Sequence, residues 1–194
     1  MTAPDEQDPQ IFEHVEGPAR PRGGMNSERL SARERQPGHD QTFRASEKNF
    51  IDSARSVLDP ELYTVNDHPR DLAQIFHETL PGHNSLGVIP EASIVSKRTK
   101  RQFFVEVKKQ GDRGNAEERA AKHHTIQFYN TLKDKYGYDY HPFVTIMCES
   151  LATNRRYTLK SEYLFESDHY FNWVAYDIES LRAYLNGRCA AWLD

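Results

Sequence analysis

The stretch Gln102-Phe-Phe-Val-Glu-Val-Lys-Lys-Gln-Gly111 decides the fold. Its aromatic and β-branched residues read as a strand that Gly111 ends. Upstream, Ser85-Leu-Gly-Val-Ile-Pro-Glu-Ala-Ser-Ile-Val95 is a second extended stretch. The polar Ser96-Lys-Arg-Thr-Lys-Arg101 joins the two as a hairpin. Pro90 has no N–H to give a ladder, which predicts an edge position or a bulge there. His141-Pro-Phe-Val-Thr-Ile-Met-Cys148 reads as a buried strand, and Phe171-Asn-Trp-Val-Ala-Tyr176 as another.

Helical patterns surround these strands. One opens near Ser46, with Phe50, Ile51, Ala54 and Leu58 on one side, and stops at Pro60. A second is predicted from Asp67 or His68, with Pro69 in its first turn and Leu72, Ile75 and Phe76 as its apolar face, closing at Pro81-Gly82. A long helix is predicted from Asn115 to about Tyr136, striped by Ala121, Thr125, Phe128, Leu132 and Tyr136 and ended by Gly137. A last one runs from about Ile178 to Leu185. Helices flanking a mixed central sheet give an α/β or α+β domain of three layers. Residues 1–45 hold five of the ten prolines and four of the ten glycines, with no sustained period. They read as an irregular or mobile arm ahead of a single domain over 46–194.

The chain has 194 residues, 37% hydrophobic and 28% charged, which is the composition of a soluble protein of about one domain. No apolar run approaches the roughly 18 residues needed to cross a bilayer, and the start lacks a signal-peptide pattern. Cys148 and Cys189 make neither a disulfide framework nor a zinc cluster, which points to a reducing, cytoplasmic compartment. The net charge of −4 is uneven: residues 95–124 carry nine basic and four acidic side chains, leaving −9 for everything else. A local concentration of this kind can bind a polyanion on an acidic protein.

Chemistry is embedded in that window. Glu106 and Lys108 are i and i+2 on a strand and project to the same side. A hairpin of this length returns Glu91 beside Glu106, so two carboxylates and an ammonium share a small volume. Two hard oxygen ligands suit Mg²⁺, and the lysine can orient a water or offset charge on a phosphate. Glu-x-Lys alone is an ordinary strand pattern, also explained by a cross-strand salt bridge. Six residues on, Gly114-Asn-Ala-Glu-Glu-Arg119 opens the long helix, with Asn115 and Arg119 on one edge. Asn can pair with adenine, Arg can read a base or phosphate, and Ala116 can meet a thymine methyl. Glu118 can accept from an adenine amino group, or reach back in a capping box with Asn115.

Glu106-Val-Lys-Lys-Gln-Gly111 followed by Gly114-Asn-Ala-Glu-Glu-Arg119 resembles the EcoRI and MunI group of type II restriction endonucleases, within the PD-(D/E)XK nucleases. The resemblance covers roughly residues 85–150. It implies a restriction-endonuclease-like core and a Mg²⁺-dependent homodimer in a bacterial or archaeal cell. Such an enzyme uses no nucleotide cofactor and no membrane, and cuts double-stranded DNA at a palindrome with an AATT centre, leaving 5′ overhangs. It places Glu91 and Glu106 as metal ligands and Lys108 as the catalytic lysine. It places Asn115, Ala116, Glu118 and Arg119 on the DNA-reading helix. The family usually has Asp after Pro where this chain has Glu91, and the EcoRI-type relative has a long insertion before the Gly-Asn-Ala helix that is missing here.

Other expected DNA contacts are Arg113, Lys97 and its neighbours Arg98, Lys100 and Arg101 on phosphates, and Arg155 and Arg156 on outer base pairs or phosphates. His123 and His124 are read as packing residues, because no Cys or His pair has zinc-site spacing. Two other functions fit the same residues: a less specific repair or recombination nuclease of this fold, and a sequence-specific DNA-binding protein that does not cleave.

Overall fold

A computed structural model describes residues 37–75, 88–111 and 114–194, with side chains from residue 45 onward. The elements in chain order are helix α1 (Pro37–Val57), strands β1 (Tyr63–Asp67), β2 (Ala92–Ser96) and β3 (Gln102–Gln110), and helix α2 (Ala116–Ala120). A 3-10 turn (Ala121–His124) leads to α3 (Ile126–Tyr136), β4 (Phe143–Glu149), α4 (Ser150–Thr153) and α5 (Arg155–Leu164). Strand β5 (Tyr170–Trp173), a 3-10 turn (Val174–Tyr176) and α6 (Ile178–Trp192) complete the chain.

The sheet is mixed, in the order β1-β2-β3-β4-β5. β1, β2 and β3 pair antiparallel, whereas β3–β4 and β4–β5 pair parallel. Alternation along the strands divides the core between two faces. Val105, Val107, Val144, Ile146 and Cys148 pack with Phe50, Ile51 and Ala54 of α1 and Leu181, Leu185 and Cys189 of α6. On the other face, Phe104 and Phe143 pack with Phe128 and Leu132 of α3, while Met147 packs with Ala116 and Ala120 of α2 and Tyr157 of α5. Helices on both faces of a mixed sheet are the three-layer α+β arrangement expected from the hydrophobic periods.

Several elements differ from expectation. Over the described residues the helix predicted from residue 67 or 68 does not form: Tyr63–Asp67 is instead a strand, antiparallel to β2 with Val65 opposite Ile94, and residues 71–75 form turns. Its alternating Tyr63 and Val65 supply a period of two that the downstream leucine and isoleucine masked. Leu72 and Ile75 are nonetheless buried, against Phe104 and Phe143. Phe76, Pro81-Gly82 and residues 85–87 of the extended stretch lie outside the described residues. Pro90 precedes β2 rather than interrupting it, and β2 is flanked by β1 and β3, so this is no edge.

The long helix is broken at Thr125, whose extended backbone (ψ 149°) and side-chain oxygen, accepting from Phe128 N at 3.2 Å, start a fresh helix. Gly137 ends α3 as expected, in the left-handed conformation (φ 73°) that glycine adopts without a side-chain clash. α1 begins earlier than Ser46, α6 runs on to Trp192, and α5 stands where no helix was expected. No helix among the described residues is long and apolar enough to cross a membrane.

Candidate active site

Residues of β3 that point away from α1 and α6 include Glu106 and Lys108, one pleat apart. The β2–β3 register pairs Ala92 with Val105, so one step further sets Glu91 across from Glu106. There β2 has ended, leaving Val107 N without a strand partner on that side. The Glu91 carboxylate takes it through Oε2 at 3.2 Å. The Glu91 carbonyl in turn accepts from His68 N at 3.0 Å, tying the residue to the loop after β1. Lys108 Nζ then reaches both acids, 2.5 Å from Glu106 Oε1 and 3.2 Å from Glu91 Oε1. All three side chains are largely buried, with 10% to 17% of their surface exposed. The sequence reading brought these three together, and the structure does the same.

Burial and hydrogen bonding to Glu106 push the Glu91 carboxyl well above the usual carboxylate range, against a smaller opposing effect of Lys108. Burial also opposes charge on Glu106, but the hydrogen bond from Glu91 and the nearby Lys108 win and hold it below the usual carboxylate range. The two acids thus share one proton and titrate as a pair. Burial works to lower Lys108, yet the two carboxylates outweigh it and keep it an ammonium above its ordinary value. Two convergent carboxylates, one needing a cation to shed its proton, form an oxygen-donor pair that fits a divalent metal ion.

From β3 the chain turns directly into α2. Gln110, the last residue of β3, is buried, and its Oε1 accepts from Ala116 N at 2.7 Å. The predicted capping box therefore does not form: Asn115 makes no side-chain cap hydrogen bond, and Gln110 supplies the acceptor from the strand instead. Asn115, Glu118 and Arg119 are exposed at this end of α2. Ala116 is not: it is 1% exposed and packs against the core, so its methyl group is turned away from any ligand of this surface.

The remaining expected contacts divide. Arg155 and Arg156 are exposed in the first turn of α5, with Asn154 accepting from Arg156 N at 3.0 Å as the cap. α5 lies along α2, where Lys160 bridges Glu117 at 3.1 Å and Glu118 at 2.5 Å. Lys97 sits in the hairpin turn and donates to Pro60 O at 2.6 Å. Arg98 and Arg101 are likewise tied to Asp194 and to the Trp192 carbonyl. This turn is at the far end of the hairpin, roughly 20 Å from Lys108 at the rise of a strand. Lys109 points to the opposite face and pairs with Glu149 at 2.5 Å. Among the described residues, Lys97, Lys108 and Lys109 of the basic window therefore lie at the hairpin turn and on opposite faces of β3. Arg113 lies outside the described residues. Gln110 and Lys160 escaped the sequence reading, since nothing local marks a strand-end glutamine as a helix cap.

Comparison with known proteins identifies the fold and the family. A search of curated proteins finds no match. Among solved structures the chain is similar to MunI restriction endonuclease in complex with cognate DNA, with a TM-score of 0.57 and 19% identity, covering 76% of this chain and 96% of that one. At that identity the likeness establishes the fold. The family described as type II restriction enzyme MunI matches residues 25–194, most of the chain. This protein belongs to the MunI family of type II restriction enzymes and is a site-specific DNA nuclease.

Proposed function

We propose that this enzyme is a homodimer that cuts both strands of a DNA palindrome with an AATT core, using Mg²⁺ and leaving 5′ overhangs. The observation that carries the reading is Lys108 Nζ set between the carboxylates of Glu106 and Glu91, at 2.5 and 3.2 Å, on a strand that turns straight into α2. Glu91 and Glu106 are the residues that would hold the metal ion, and when bound it supplies a Lewis acid for the scissile phosphate. Lys108, held as an ammonium, offsets negative charge that grows on the phosphate oxygens rather than acting as a base. The buried setting strengthens that interaction by excluding water.

Sequence reading falls to α2. Asn115 keeps its amide uncommitted to capping and exposed, as an adenine reader requires. Arg119, one turn along, shares its edge. Glu118 fixes Lys160 of α5 and so holds the two exposed helices together, with Arg155 and Arg156 placed to meet phosphates or outer base pairs. A homodimer supplies two copies of this surface, which is what a palindrome requires.

The test is a digest of DNA carrying many AATT-containing palindromes, with and without Mg²⁺, followed by sequencing of the cut ends. Cuts at one fixed palindrome, only with the ion, are expected. Scattered ends would instead mark a nonspecific nuclease, and specific binding in Ca²⁺ without cleavage in Mg²⁺ would mark a protein that only binds.

A further inference from the structure

A second group of ionisable side chains lies outside the carboxylate–lysine cluster. His124 ends the 3-10 turn after α2, His141 stands just before β4, and His169 just before β5. The fold gathers them so that one ring nitrogen from each lies within 4.8 Å of the others. With Phe165 and Glu166 they line a cavity of about 300 Å³. The His124 and His141 rings are nearly parallel at 5.1 Å, and His141 meets His169 at 4.8 Å.

Burial in this cavity disfavours charge on His124 and His141. Burial, then the neighbouring histidines, hold His124 down to about 2, and burial with His169 holds His141 down to about 4. Their lone pairs are therefore available at neutral pH. The His169 ring is also oriented from behind, as metal-binding histidines are. His169 donates from Nδ1 to the Phe143 carbonyl at 2.8 Å, which leaves its Nε2 as the lone-pair atom. His124 Nε2 is 3.1 Å from Thr145 Oγ1.

His141 is the telling member. Its Nε2 is buried and has no hydrogen-bond partner among the described residues. A buried polar atom left unpaired in this way costs about 1–3 kcal/mol unless something else satisfies it. His141 Nδ1 accepts from Phe143 N at 3.2 Å, so a metal ion on Nε2 would require the ring to move its hydrogen to Nδ1 and give up that bond.

We propose that His124, His141 and His169 form a structural Zn²⁺ site, with Glu166 or a water as fourth ligand. Imidazole nitrogens suit Zn²⁺, and bonds of about 2.0–2.1 Å require the three nitrogens to close to roughly 3.3 Å apart, within reach of small side-chain rotations. Glu166 Oε2 is already 3.7 Å from His169 Nε2, on a side chain that is 89% exposed and free to swing inward. The site would clamp three separate elements: the turn that follows α2, the entry to β4 and the entry to β5. Because Thr145, beside His124, pairs in register with Glu106, the clamp would brace the strand pair that carries the catalytic cluster. The ion is distinct from the one proposed at Glu91 and Glu106, and the inference stands apart from that reading.

The experiment uses the full chain, stripped of metal with a chelator and titrated with Co²⁺ in the absence of DNA. The expected result is the visible absorption of histidine-bound Co²⁺, abolished by one equivalent of Zn²⁺ per chain. Glu106→Ala should keep the band, whereas His141→Ala and His169→Gln should weaken binding by about 100-fold while circular dichroism confirms folding. The wild-type titration decides alone if those variants unfold. No Co²⁺ band displaced by Zn²⁺ would show that the rings are a packing cluster only and overturn the proposal. A band that survives in a folded His141→Ala protein, or disappears in Glu106→Ala, would overturn it too.

Discussion

Gln110 and Gly114 should behave as one unit, and a double-mutant cycle on stability measures this directly. Gln110→Ala removes the acceptor that meets Ala116 N at 2.7 Å. A buried N–H left without a partner costs about 1–3 kcal/mol, so about 2 is expected. Gly114→Ala acts on the same bond from the other side. A Cβ there would stand 2.3 Å from Gln110 Oε1 and 2.6 Å from its Cδ, so the amide must leave and the bond is lost. The backbone at φ +144° adds about 1–3 kcal/mol for any residue with a side chain, for a total of about 4. Independent effects would sum to about 6 kcal/mol in the double variant. Because Gln110→Ala has already removed both the clash and the bond, the double variant should lose only about 4, a coupling of about 2. Urea unfolding by circular dichroism, at one fixed protein concentration, reads all four corners. Additivity to within about 0.5 kcal/mol would show that the two residues do not share a bond, and would remove Gln110 as the cap that ties α2 to β3.

Three further outcomes follow from the site. Lys108→Ala should slow cleavage by about 10²–10³-fold, as expected for one preorganised charge at a developing oxyanion, while specific binding in Ca²⁺ persists; loss of both together would assign Lys108 to binding or folding. Asn115→Ala should cost about 1–3 kcal/mol of discrimination at a single base position, read by cleavage of substrates changed one base pair at a time, and an unchanged preference would take Asn115 out of the readout. The raised Glu91 carboxyl holds a proton in the folded chain more tightly than in the unfolded one. Without divalent cations its contribution to stability is present below the ordinary carboxylate range and is lost as pH rises through its elevated range. A divalent ion competes for that proton, so less Mg²⁺ should be needed for half-maximal cleavage at pH 8 than at pH 6. A Mg²⁺ requirement that does not change with pH would argue against a proton shared by Glu91 and Glu106.

What the sequence made legible, and what it hid, divides along the range of the interactions involved. Glu106 and Lys108 are two residues apart on a strand, and Glu91 is one hairpin away, so strand period and hairpin length suffice to bring them together. β3, β4 and the α3 terminator Gly137 were readable for the same reason, each being marked by its own residues. Long-range effects were not readable. Asn115 has the composition of a cap, but an acceptor five residues earlier occupies the position, because the abrupt strand-to-helix turn sets Gln110 over the first helical N–H. The basic window is dispersed by effects of the same kind. The strand alternation sends Lys109 away from Lys108, and the hairpin carries Lys97 to the other end of the sheet, against Pro60. The three histidines are separated by 17 and 28 positions and meet only because two parallel strands begin side by side under the turn that follows α2. Spacing in sequence therefore predicts a site well when one element builds it, and poorly when the sheet assembles it from several. The carboxylate–lysine site lies within one hairpin and the histidine site spans three elements, which is why only the first is legible in the sequence.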